Sequence, residues 1–174
     1  NNICGSVNMS YIDDCWYRWV ETSHKELDEQ KRTTISRILI NNLPNIELPT
    51  DSFNTIWSIV KNIVKNIGVH GDISLDKILL LYESGIDHHF SGQENCGFVI
   101  VKFIAKKWYD TESFKIVTYS PILRENRMNF GLFLAGALTR IHDGCVMVGG
   151  NTEKGHVVLE FRIPISENPI CNKI

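Results

Sequence analysis

The residues with the chemistry to hold a metal or attack a substrate fall in three places. His88 and His89 stand side by side, with Asp87 before them and Cys96 further on. These are metal-ligand types, but adjacent histidines on a loop rarely face one point, and neither HxxxH nor HxH spacing supports them. An exposed loop pair, and no metal, is the expectation. His142-Asp143 closes a small-residue helix, where the dipole of the last turn already favours a histidine. Cys96 or Cys145 paired with His142 has the side chains of a thiol nucleophile and its base. No spacing positions that pair, and GxSxG is absent. Gly149-Gly150-Asn151 with Lys154-Gly155 is glycine-rich, yet GxxxxGK[ST] fails and the segment joins strand to strand. It reads as a hairpin connection rather than a phosphate loop. No catalytic residue is expected, and the chain reads as a non-enzyme.

Cys96 carries a second reading. It precedes the most apolar predicted helix, at the mouth of whatever interior that helix lines. The plain reading is a buried free thiol, since free cysteine behaves as a small hydrophobe. The functional reading is a thiol bearing an acyl chain whose tail enters the core beside Phe98, Phe103 and Trp108. Each buried methylene of such a chain contributes about 0.8 kcal/mol. Apart from that acyl group, no cofactor is expected.

The elements that position these residues follow from periodicity and breakers. Residues 11–42 read as one long helix or two short ones, with a strongly polar middle. Pro44 and Pro49 enclose an extended stretch. Phe53, Ile56, Trp57, Val60, Ile63, Val64 and Ile67 then recur at helical spacing, from a start at Thr50-Asp51 to a stop at Gly68. A shorter helix is predicted over 74–86, a loop over 88–93, and an interior helix over 98–109 with a strand as the alternative for 98–103. A strand over 114–119 ends at Pro121. Residues 128–144, MNFGLFLAGALTRIHDG, form a helix with Gly131, Ala135, Gly136 and Ala137 where a surface helix carries charge, so it is buried on several sides. Two strands close the chain, the last alternating Val157, Leu159, Phe161 and Ile163 against Glu160 and Arg162. The fold class is α+β: helices in the first two thirds packed on a small antiparallel sheet built mostly by the C-terminal third. One domain over 1–174 is expected, with 1–33 as a helical arm.

At 174 residues, 43% hydrophobic and 22% charged, the chain buries a real core and is not disordered. A net charge of -2 excludes a general attraction to nucleic acid or anionic lipid. Five cysteines at irregular spacing signal neither a zinc site nor a disulfide framework, so reduced thiols in the cytoplasm are the default. That default outweighs the glycosylation triplet Asn8-Met9-Ser10. No apolar run reaches the ~20 residues of a membrane span. A chain opening on Asn1 reads as trimmed or processed, so the lack of a leader carries no weight.

Four segments together resemble the core subunits of the transport protein particle (TRAPP), a vesicle tether of the secretory pathway. Residues 35–60 look like the family's N-terminal extension and first helix, and GFVIVKFIAKKWYD with its Ile104-Ala105-Lys106 triplet looks like its third helix. FKIVTYSPI resembles the first strand. The 128–145 segment resembles the signature helix, with Phe133, Ala135 and Gly136 at matching positions, and the closing hairpin follows from Lys154-Gly155. The typical G-x-x-x-G-x-R-L of the second helix is missing, and 74–85 stands in for it. The resemblance implies a non-catalytic scaffold in a hetero-oligomer that tethers vesicles, peripheral at Golgi or ER membranes, with Cys96 near the family's acylated cysteine. It also implies an interface through the helices, at Trp57, Val60, Ile63, Val64, Phe133 and Gly136. Haem-based gas sensors share that architecture, but His70, His88 and His89 all fall on predicted loops. Two other readings stand beside the tether. One is a viral or parasite module that sequesters a host protein, suggested by the Asn- and Ile-rich stretches NNLPNIELP and IVKNIVKNIG. The other is a domain binding a small apolar ligand beside Cys96. All three expect protein or ligand contacts and no nucleic acid.

Overall fold

A computed structural model of the chain describes residues 5–23, 27–65, 74–85, 96–106, 123–124, 127–128, 130–151 and 156–166. The predicted loop at 88–93 and strand at 114–119 lie outside them, as does Trp108. The order of elements is β1 (Ser6–Asn8), α1 (Tyr11–Ser23), α2 (Glu29–Ser36), β2 (Leu39–Asn41), β3 (Glu47–Pro49), α3 (Thr50–Ile63), β4 (Ser74–Gly85), β5 (Cys96–Lys106), β6 (Leu123–Arg124), β7 (Arg127–Met128), α4 (Phe130–Ile141), β8 (Cys145–Asn151) and β9 (His156–Ser166). The fold is α+β, as the composition of the elements predicts.

The main sheet has five strands in the order β2-β4-β5-β9-β8, with β2 parallel to β4 and the other pairs antiparallel. This corrects the two helices expected over 74–86 and 98–109. Both segments are apolar on two faces, and periodicity alone does not separate such a strand from a buried helix. In β5, Val99, Val101, Phe103 and Ala105 face the core, while Phe98, Ile100, Lys102 and Ile104 occupy the other face. A run so rich in Val, Ile and Phe suits the pleated surface of a strand hydrogen-bonded on both sides.

The helices form the second layer. α3 turns Phe53, Ile56, Ile59, Val60 and Ile63 inward, with Asp51 in its first turn and Lys61 in its last complementing the dipole. α4 adds Leu132 and Ala135 to the same core. Of the two readings of 11–42, one long helix or two short ones, the structure has the two short helices. Asp28 caps the second by accepting from the Lys31 N–H at 2.7 Å. α1 sinks Ile12, Trp16 and Val20 into the core, and the Trp16 indole N–H donates to the Ser36 carbonyl at 2.9 Å, which ties α1 to the end of α2. Trp19 bridges Trp16 and Trp57, so α1 is also fastened to α3 by aromatic contacts. A two-stranded ribbon of β1 and β3 holds the chain immediately before α3.

Candidate functional site

α3 and α4 pack on one another over the sheet, and a polar contact joins them. The Thr55 hydroxyl lies 2.6 Å from Nε2 of His142, the residue just past α4. The contact joins Thr55, in the first half of α3, to the residue just past the end of α4.

The start of α4 has a definite chemistry. The first turn of α4 contains no acidic residue. The leading N–H groups of a helix have no partner within it, and with the positive end of the dipole they favour an anion. Immediately before it, β6 and β7 place Arg124 and Arg127 opposite each other in register. Asn62 sits half-buried near the end of α3. A carboxamide both donates and accepts, so it can serve phosphate, base or metal-bound water. Asn66 follows one turn later in the sequence and lies outside the described residues. Such a junction suits a phosphate-bearing ligand.

The residues singled out from the sequence are scattered. Cys96 opens strand β5 rather than preceding a helix, and Phe98 and Phe103 face opposite sides of that strand, so those two do not line one pocket. Val60, Ile63 and Val64 are buried in the chain's own core, as is Gly136, whereas Trp57 and Phe133 are half-buried. Trp57 packs against Trp19 and lies under the Lys61 ammonium. Cys145 is an exposed free thiol on β8, and His142 is bonded to Thr55. Neither Asn62 nor the first turn of α4 was singled out from the sequence. The available signal was the NIVKN spacing, two asparagines four residues apart in the sequence; the same stretch reads equally well as compositional bias.

Neither a family model nor a curated protein matches the sequence. Solved structures do. The mycobacterial sensor histidine kinase MprB is similar at 10% identity and a TM-score of 0.54, over 94% of this chain and 98% of that one. The catalytic domain of histidine kinase ThkA, in a nucleotide-free form, is similar at 16% identity and a TM-score of 0.54, over 93% of this chain and 97% of that one. ThkA in complex with the response regulator TrrA matches at 17% identity and a TM-score of 0.54, over 94% of this chain and 42% of that chain. The fold is that of histidine kinase catalytic domains.

The likeness overturns the TRAPP resemblance, whose helical second and third elements are here the adjacent strands β4 and β5. With it go the tethering scaffold and the vesicle-transport setting. The non-enzyme reading is corrected as well, because the shared fold is a catalytic domain's. Neither the host-sequestering module nor the apolar-ligand domain finds support in these neighbours. Among the described residues, no helix is long and apolar enough to cross a membrane.

Proposed function

We propose that this chain is a nucleotide-binding catalytic domain of the histidine kinase kind, which holds ATP with magnesium and delivers the terminal phosphoryl group to a histidine. One observation carries the proposal: the likeness to MprB runs over nearly the full length of both chains. It is therefore a likeness of whole domains rather than of a shared sheet.

The junction of α3 and α4 fits the ligand. Phosphates suit the N–H groups and dipole at the start of α4. The described residues contain no group of three His, Cys, Asp or Glu able to cage a metal. Magnesium commonly keeps several waters and rides on the phosphates of its substrate, and a carboxamide such as Asn62 is a fitting outer contact. The expected protein partner becomes a phosphoryl acceptor domain, and a response regulator is a candidate by analogy with ThkA. A cytoplasmic setting, with ATP and reduced thiols together, agrees with this reading.

The test is calorimetric titration of the chain with MgATP, followed by incubation with γ-labelled ATP and a histidine-bearing acceptor domain. Saturable binding tighter than about 1 mM, a free energy beyond about −4 kcal/mol, is expected. Absence of saturable binding at millimolar MgATP would sink the proposal.

A further inference from the structure

α3 buries one polar side chain among its apolar ones: Thr55, at 6% exposure, lies next to Ile56 and one turn before Ile59. A buried hydroxyl needs a partner, and here it is Nε2 of His142 at 2.6 Å. His142 has little freedom. Its own N–H donates to the Leu138 carbonyl at 3.4 Å, and the Gly144 N–H donates to the Thr139 carbonyl at 2.9 Å. Between them Asp143 adopts a left-handed φ of 60°. A Cβ on Gly144 would run into the backbone carbonyl oxygen of Arg162, so the turn is seated directly on β9. The backbone that carries the imidazole is thus seated on the sheet, and α3 is bonded to the imidazole.

Apolar contact between two helices is non-directional and allows axial slip. A hydrogen bond to one ring nitrogen weakens steeply when its length or angle changes. We infer that Thr55 and His142 are positioning residues, whose bond sets the axial register of α3 against α4 and so the placement of Asn62 relative to the first turn of α4. The inference rests on the nucleotide reading of these two helices. Thr55 lies seven residues before Asn62, about 10 Å along the axis, so its action on a ligand there is indirect.

Three proteins decide it: the full chain, Thr55→Val, which keeps the shape and removes the hydroxyl, and Thr55→Ser, which keeps the hydroxyl. MgATP affinity is measured by calorimetry, and amide exchange is followed in the last turn of α3 and in β5. Thr55→Val is expected to bind MgATP about 10-fold more weakly. Its last α3 turn should exchange faster while β5 stays protected. Thr55→Ser should return to within about twofold of the parent, which loss of a methyl contact alone would not produce. Equal affinity in parent and Thr55→Val overturns the inference, as does equal weakness in Thr55→Val and Thr55→Ser. Failure of the parent itself to bind MgATP overturns the nucleotide reading instead. The register is then judged by exchange alone: faster in Thr55→Val than in Thr55→Ser if the bond sets it, and the same in both if it does not.

Discussion

Gly144 and Gly149 lie close in sequence, and the space around each predicts opposite outcomes for an added methyl group. At Gly144 the methyl meets the Arg162 carbonyl oxygen and the Thr139 side chain. Backbone must move, so Gly144→Ala is expected to cost about 3 kcal/mol. At Gly149, on β8, no atom stands within 4 Å of an added Cβ. Gly149→Ala should be neutral or stabilise by about 0.5 kcal/mol, because alanine loses less chain entropy on folding. Urea unfolding of both variants checks the pair, and similar losses would contradict the geometry. Arg162 offers a second contrast on the outer sheet face. Its guanidinium bonds Glu83 at 3.1 Å and Glu160 at 3.2 Å and lies over the Phe98 ring. Burial opposes its charge, but hydrogen bonds and attraction from Glu83 and then Glu160 prevail and raise its pKa. A raised pKa contributes stability below the ordinary arginine value and loses it only above, so Arg162 adds no pH dependence near neutrality. The Glu83 side chain is 59% exposed and that of Glu160 23%. Glu160→Gln should therefore cost about 1 kcal/mol and Glu83→Gln under about 0.5 kcal/mol in urea unfolding. The reverse order would show that exposure does not rank these two pairs.

Among elements, β5 is distinguished by its partners. β4 pairs along its whole length on one side and β9 on the other, whereas β8 and the three-residue β2 lie at the edges of the sheet. Amide exchange is expected to be slowest in β5 and faster in β8 and β2, because an edge strand opens without breaking the centre. Uniform protection across the sheet would contradict that order. The same pairing explains why β4 read as a helix and why a strand stood only as the alternative for 98–103 in β5. Leu79, Leu81 and Ile100 on the outer face match Leu80 and Val101 on the inner one, so no alternation marked the segments. α3 was legible because its period is clean. Ile59, fully buried on its inner face, is expected to lose about 3 kcal/mol as Ile59→Ala.

For the whole molecule, a ligand that binds only the folded state stabilises it by mass action. At 100 times its dissociation constant MgATP should add about 2.7 kcal/mol. For a domain of this size that raises the melting temperature by roughly 5–10 °C. The shift should shrink when magnesium is chelated, because the phosphates then face the site without their counter-ion. A melting curve that ignores MgATP at millimolar concentration would contradict the kinase reading at this scale. The same scale accounts for the misdirected family resemblance. Apolar helical segments match many folds by chance, whereas the five-strand order β2-β4-β5-β9-β8 with helices over it is specific.

Local periodicity was enough to mark the inward face of α3, the small-residue helix α4 and the closing β8–β9 hairpin, each of which reports its own environment within a few turns. The α+β class followed from the same patterns. Strands β4 and β5 needed the folded chain, because a segment apolar on both faces becomes a strand or a helix according to neighbours distant in sequence. The junction of Asn62 with the start of α4 needed it too. Residues 62 and 131 have no local relation, and in the proposed nucleotide site it is the packing of α3 against α4, with Thr55 bonded to His142, that relates them.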